Sequence, residues 1–387
     1  MQIYLDYSAT TPPRPEVITA MQEVLTQQWG NPSSLHEWGQ RAATQVERAR
    51  MQVAGLINAL AESIIFTCGG TEADNLAIMG VARAYSTPQH IVISSVEHSA
   101  IAEPVQLLEQ WGWEVTRLPV DTQGRINPND LKTALQPNTV LVSVIYGQSE
   151  VGTLQPIEAL CQIAHDNGVL FHTDAVQVAG RLPIDLQQLP VDLLSISSHK
   201  IYGPQGAGAL YIRQGVELVP LILGGGQELR MRSGTQAVPT IVGFGVAAEL
   251  AAAQMETETP RLIELRDRLF DQLSDTPSLI PTGSRLHRLP HHVSFSVISD
   301  GKKVTGKTLV RQLNLAGIGI SAGSACHSGK LSPSPILKAM GYSDCVALGG
   351  IRLTLGRETT QADVDWTAMV LKQVLQRLMP EPALAGC

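Results

Sequence analysis

Six short runs of apolar and β-branched residues punctuate the chain between residues 63 and 213: SIIFT 63–67, HIVIS 90–94, TVLVSVIY 139–146, GVLFHTD 168–174, DLLSIS 192–197 and GALYIR 208–213. Between them lie segments of helical period, such as TEADNLAIMGVARAY 71–85 and PIEALCQIAHDNG 156–168. Strands with so little polar alternation must be covered on both faces, and intervening helices supply the cover. The pattern predicts an α/β fold built on a mostly parallel sheet. Ligands of such sheets gather at the carboxyl ends of the strands, so the residues just after each run are where chemistry is expected.

The texture changes after AVPTIVGFGVAAELAAAQMETETP 237–260, an alanine-rich helix expected to end at its acidic patch and Pro260. A smaller α+β unit is expected beyond it: a long amphipathic helix from about Arg261, a strand HVSFSVI 292–298, a loop 321–329 and a last helix 363–379. A chain of 387 residues exceeds one compact unit of ordinary size. The expected division is a large domain over 13–260 and a small domain made of 1–12 and 261–387, the latter carrying a loop at about 321–332.

A net charge of −7 with no run of Lys or Arg leaves no electrostatic footprint for nucleic acid or an anionic membrane. The N-terminus lacks the basic-then-apolar pattern of a signal peptide, and the longest apolar stretch, Ile241 to Ala248, is too short to span a bilayer. A soluble cytoplasmic protein with small-molecule or protein partners is expected. Five scattered cysteines without a C-x-x-C pair indicate neither a disulfide framework nor a zinc site.

Some apparent motifs read better as structure. GFGVAA 243–248 matches a dinucleotide fingerprint but follows no strand, so a closely packed helix is the better reading. HRLPHH 287–292 offers three imidazoles without acidic or thiol co-ligands, and solvated histidines are expected there instead of a metal site.

Other positions converge. CGGTEADN 68–75 opens a helix with Gly70 and Thr71 after a strand, a place where free N–H groups suit a phosphate, although an ordinary glycine turn reads equally well. SVEHSA puts His98, and HTDAVQ puts Asp174 and Gln177, at strand ends. SSHKIYGPQGAG carries Lys200, the only lysine between Lys132 and Lys302, in apolar surroundings that suit an amine nucleophile, although a lysine snorkelling to solvent reads equally well. A Schiff-base lysine, an acid for a pyridinium nitrogen, a phosphate cup and a ring-stacking histidine are the needs of pyridoxal 5′-phosphate (PLP).

In their order along the chain, YLDYSATTP, GGTEADNLAI, EHSA, HTDAVQ, SSHKIYGPQGAGALYIR, MRSGT and SAGSAC resemble the PLP-dependent cysteine desulfurases of nitrogenase and iron–sulfur cluster assembly, members of the class V aminotransferases. The resemblance implies fold type I: a large domain with a mostly parallel seven-stranded sheet plus a smaller α+β domain, in a homodimer. It implies Lys200 as the Schiff-base lysine, Asp174 on the pyridine nitrogen, Gln177 facing the ring hydroxyl and His98 stacked on the ring. Gly70, Thr71, Ser197 and His199 would hold the phosphate, with Thr235 reaching in from the neighbouring subunit, and Arg352 would grip the substrate carboxylate.

Cys326 of SAGSACHSG would take sulfur from L-cysteine as a persulfide, release L-alanine, and pass the sulfur to an acceptor protein such as an iron–sulfur scaffold. One position departs from the family: Ser149, in QSE, stands where the second Asn of NNE usually contacts cofactor and substrate, and a water or Gln148 would have to replace that contact. His327, directly after the cysteine, is a second departure. Two rival readings remain: a PLP-dependent cystine or selenocysteine lyase needing no protein thiol, and a catalytically silent scaffold of the same fold.

Overall fold

The apolar runs become strands buried on both faces. In the computed structural model, which describes residues 2–298, 304–323 and 332–379, the strands are β1 (Ile3–Tyr4), β2 (Ile64–Thr67), β3 (His90–Ser94), β4 (Glu114–Leu118), β5 (Thr139–Ser143), β6 (Leu170–Asp174), β7 (Leu193–Ser197), β8 (Gly208–Ile212), β9 (Leu279–Pro281), β10 (His292–Val297), β11 (Ile318–Gly319), β12 (Ser321–Ala322) and β13 (Gly350–Thr354). A seven-stranded sheet runs in the order β2-β8-β7-β6-β5-β3-β4. Only β8 is antiparallel to its neighbours in it; the remaining pairs are parallel. β4 closes one edge and was not apparent in the sequence. Its residues EVTRL are largely solvent-facing, and an edge strand defended by Glu114 and Arg117 lacks the apolar signature.

A second sheet, β12-β13-β10-β9, is antiparallel, and β1 pairs in parallel with β11, so the first residues of the chain lie against residues 318–319. Its core gathers Leu5, Leu269, Phe270, Phe295, Leu313, Leu353 and Leu371. Phe270 and Phe295 meet with ring centroids 5.1 Å apart, and both are fully buried. Phe295→Ala is expected to destabilise the fold by about 3–5 kcal/mol, transfer and cavity terms together, measured as a lowered midpoint in urea at unchanged slope.

The helix expected to stop at Pro260 does not. Val238–Leu273 is one helix of 36 residues with Pro260 inside it. The lost backbone donor is outweighed because the flanks are held: Thr259 donates its hydroxyl to the Arg181 carbonyl, and Arg261 donates to the carbonyls of Gly356, Arg357 and Thr359. This helix is long and apolar enough, by length and composition, to cross a membrane. Its apolar residues instead pack into the protein, and GFGVAA serves close packing: a side chain on Gly245 would collide with Ala49, and one on Gly243 with Met21.

Candidate active site

A cavity of about 360 Å³ opens at the carboxyl ends of β2, β5, β6 and β7, with β12 and β13 of the second sheet forming its far wall. Lys200 ends a short 3-10 turn, Ser198–Lys200, directly after β7. Its Nζ donates to the carbonyls of Ser8 and Ala9, both at 2.7 Å. Burial, with Arg352 and Arg181 nearby, lowers the ammonium to about 8, while Asp174 and Asp6 act against that shift. A substantial free-amine fraction at neutral pH follows.

Asp174, the last residue of β6, is buried and accepts the N–H of Val176 at 2.9 Å. Burial raises its carboxyl, and the nearby His98 and Lys200 pull it back. His98 caps the helix Ser99–Gln110, accepting from the Ala100 N–H, instead of ending a strand. Ligating atoms of Asp74, His98 and Asp174 lie within 4.8 Å of one another, so the His98 imidazole and the Asp174 carboxylate are brought together in the cavity. Gln177 donates to the Ser8 carbonyl at 3.0 Å, while its buried Oε1 has no partner among the described residues.

Gly70 begins the helix Gly70–Ala82, and a Cβ there would sit 2.8 Å from Val176 and 3.5 Å from Ser197. Val176 thus requires glycine at this helix start, and the N–H groups and dipole of the helix there suit a phosphate. Thr71, at the rim, also lines the cavity, and the buried Ser197 Oγ beside Gly70 has no partner among the described residues. His199 bonds Thr10 Oγ1 at 3.1 Å, and burial with neighbouring Lys200 and Arg181 lowers its imidazole to about 4, so it is neutral. An orphaned hydroxyl, an orphaned amide oxygen, a glycine cradle and a buried carboxylate fit the phosphate, ring hydroxyl and ring nitrogen of PLP.

Arg352, on β13, donates to Asp6 Oδ1 at 2.8 Å and to the Ser149 carbonyl at 2.9 Å, with its buried Nε free of partners among the described residues. Ser149 and Gln148 both line the cavity. The Gln148 amide is engaged inside the turn, accepting from Glu150 and Val151 and donating to the Val96 carbonyl. Thr235 is exposed and does not line this cavity. Cys326 and His327 lie outside the described residues, between Gly323 of the cavity wall and Ser332.

The expectation for HRLPHH holds only at His287. His291 and His292 are fully buried, bonding Ser8 Oγ at 3.0 Å and the Ser149 carbonyl at 3.1 Å. Burial and the surrounding arginines hold both imidazoles well below their usual range, so they act as neutral struts behind the site. Sequence reasoning also missed Asp6, Asp74 and Glu150, isolated acids whose partners are distant in the chain.

A family model described as aminotransferase class V matches residues 3–366, and the chain belongs to that family. Within it, the similarity falls among the cysteine desulfurases. The chain is 46% identical over 379 residues to the cysteine desulfurase IscS of Dictyoglomus turgidum, covering 97% of this chain and 95% of that protein. It is 44% identical to the IscS of Methanosarcina thermophila, at 97% and 92% coverage. Among solved structures, a NifS-like protein superposes with a TM-score of 0.91 at 34% identity over 98% of this chain and all of the other. The structure described as SspA in complex with cysteine gives 0.80 at 34% identity, covering 92% of this chain and 99% of that one.

Proposed function

We propose that the protein is a PLP-dependent cysteine desulfurase that forms L-alanine from L-cysteine and keeps the sulfur as a persulfide on Cys326. The observation that carries this reading is the placement of Lys200, with a depressed ammonium, in one cavity with Asp174, the Gly70 cradle and Arg352. Lys200, Asp174, Gln177 and His98 would hold the cofactor ring, and Gly70, Thr71, Ser197 and His199 its phosphate. Bound PLP supplies an electron sink for negative charge at the substrate α-carbon.

The residues of the chain do the rest. Arg352 orients the substrate carboxylate, with Ser149 beside it, and exchanges part of its present pairing with Asp6 and the Ser149 carbonyl for that task. Lys200 Nζ takes the α-proton. Cys326 thiolate then attacks the substrate sulfur: the S–S bond forms, the Cβ–S bond breaks with its electron pair left on carbon, and protonation there yields alanine. Other thiols are poorly suited. Burial pushes Cys68 up to about 11, aided by Glu72, and Cys161 up to about 12.

In this reading residues 13–260 form the cofactor-binding domain, and 1–12 with 261–387 form the domain that presents Cys326. A homodimer is supported by exposed apolar side chains, Leu25 and Trp29, Leu35 and Trp38, and Leu223 and Leu229, the last two near the segment that carries Thr235. Thr235 would then complete the partner's phosphate site. The persulfide sulfur passes to an acceptor thiol on an iron–sulfur scaffold or similar protein in the cytoplasm. The test is to mix purified protein, PLP and L-cysteine. Alanine and a sulfur adduct mapping to Cys326 are expected, and alanine without an adduct would favour the lyase reading.

A further inference from the structure

Asp74 has none of the roles assigned above, yet it is almost wholly buried beside the residue expected at the cofactor nitrogen. A carboxyl oxygen of Asp74 and one of Asp174 lie within 4.8 Å of each other, and both residues line the cavity. Two buried carboxyls that close do not both ionise unless a cation joins them, so one keeps a proton. The surroundings decide which. Asp174 accepts the Val176 N–H at 2.9 Å and has His98 and Lys200 near it, all favouring its charged form. For Asp74, burial, Asp174 and Glu97 all oppose the charge, with Ser195 in its favour, and its Oδ1 has no hydrogen-bond partner among the described residues. The Asp74 carboxyl is therefore held well above the usual carboxylate range.

Behind Asp74 a buried polar chain crosses three strands. His172 on β6 bonds Ser143 Oγ of β5 through Nδ1 at 2.8 Å and Ser195 Oγ of β7 through Nε2 at 3.0 Å. The Ser195 hydroxyl is in turn the hydrogen-bonding neighbour of the Asp74 carboxyl, whose Oδ1 stands 3.7 Å from His172 Nε2. Burial lowers His172 to about 3, so its ring is neutral and carries a single N–H. Such a chain works in two directions. With the proton on Asp74, its O–H donates to Ser195, Ser195 to Nε2, and Nδ1–H to Ser143. With that proton gone, Ser143 donates to Nδ1, Nε2–H to Ser195, and Ser195 to the carboxylate. The charged form thus keeps a donor, which lets a buried carboxyl release its proton.

Resting on the cofactor part of the proposed function, we propose that Asp74 is the proton holder of the pair, a positioning residue that acts through Asp174 on the ring nitrogen of PLP. The Asp74 O–H bond breaks, Asp174 is the intermediate acceptor, and an N–H bond forms on the ring. A pair with one negative charge beside a neutral ring nitrogen becomes a pair with two beside a positive one, so no net charge enters the cavity. The second negative charge holds the ring proton to higher pH than Asp174 alone would.

The other ionisable groups around Asp74 leave it this task. Glu97, His98 and Lys200 line the same cavity, and burial pushes Glu97 up to about 8. On the helix of Asp74, Glu72 pairs with Arg232, and on the next helix Glu103 is exposed and Glu109 pairs with Arg117. β2, β5 and β7 carry no ionisable side chain, and Tyr211 of β8 packs in a different core cluster from the helix of Asp74.

The test compares the purified full chain with Asp74→Asn and Ser195→Ala, and reads protons instead of turnover. The first readout is the infrared band of protonated carboxyl groups at neutral pH, taken as wild type minus Asp74→Asn. A band is expected without PLP, and it should fall several-fold once PLP is bound. The second is nitrogen NMR of PLP labelled at the ring nitrogen, followed towards alkaline pH. At equal pH the ratio of protonated to unprotonated ring nitrogen is expected to be about tenfold or more lower in Asp74→Asn than in wild type, as befits loss of one charge a few ångströms away. Ser195→Ala leaves the carboxyl in place but removes its donor, and should lower the same ratio several-fold. A wild-type band that is missing without PLP, or that PLP leaves unchanged, overturns the proposal, and so do equal ratios in the three proteins. If wild type shows no bound PLP signal, the cofactor reading fails, and the band without PLP alone decides whether Asp74 holds a proton.

Discussion

Lys200→Ala is expected to lower alanine release from L-cysteine by about a thousandfold or more, since under the proposed function it removes both the covalent anchor and the proton-transferring base. The amine is prepared for that work by its surroundings. With its ammonium lowered to about 8 by burial, Arg352 and Arg181, about a quarter of Lys200 is unprotonated at pH 7.5, against about a thousandth for an ordinary lysine. Borohydride treatment followed by intact mass is the independent check. Wild type should retain the reduced cofactor at Lys200 and the variant should not, whereas a variant that still fixes cofactor would show that another amine is the anchor. Folding is not expected to suffer, because the carbonyls of Ser8 and Ala9 that Lys200 bonds lie at the cavity wall, where water can replace it.

Cys326→Ala is expected to separate cofactor chemistry from sulfur chemistry. Persulfide should vanish and alanine release should fall about a hundredfold or more, since a well-placed nucleophile contributes at least that much. Borohydride should still fix the cofactor at Lys200. The structure gives a reason to expect no rescue from another cysteine: Cys68 and Cys161 are held as thiols, and Cys68, Cys161 and Cys345 do not line the cavity. Alanine and persulfide both surviving would remove the protein thiol from the mechanism and leave the lyase reading standing.

The sheet was legible because its strands are buried on both faces, so apolar runs needed no alternation to be recognised. Where that condition fails, legibility fails: β4, on the edge, reads as an ordinary polar segment. Pro260 misled for a different reason. Its local rule is sound, but Thr259 and Arg261 find carbonyls on the segments at Arg181 and at 356–359, contacts that no window of sequence contains.

The candidate site divides in the same way. Lys200, Asp174, Gln177 and Gly70 follow strands and could be found by position. Asp6 pairs with Arg352 across 346 positions, and His291 reaches Ser8 across 283, so neither carries a local mark. The imidazoles of HRLPHH looked solvated because the segment was read as a loop leading into a strand, whereas His292 is the first residue of β10 and is buried with His291 before it. The walls that bury them come from β13 and the N-terminal segment.

The unbroken helix Val238–Leu273 has a mechanical meaning beyond its packing. At about 1.5 Å per residue it is a rod of about 54 Å, and it touches both the Ser198–Lys200 turn and β10, the strand paired with β13 of Arg352. The turn of Lys200 and the strand next to that of Arg352 thus lean on one rod, so the two sides of the cavity share a support. A helix that contributes no residue to the cavity lining is nevertheless part of the frame on which the candidate site stands.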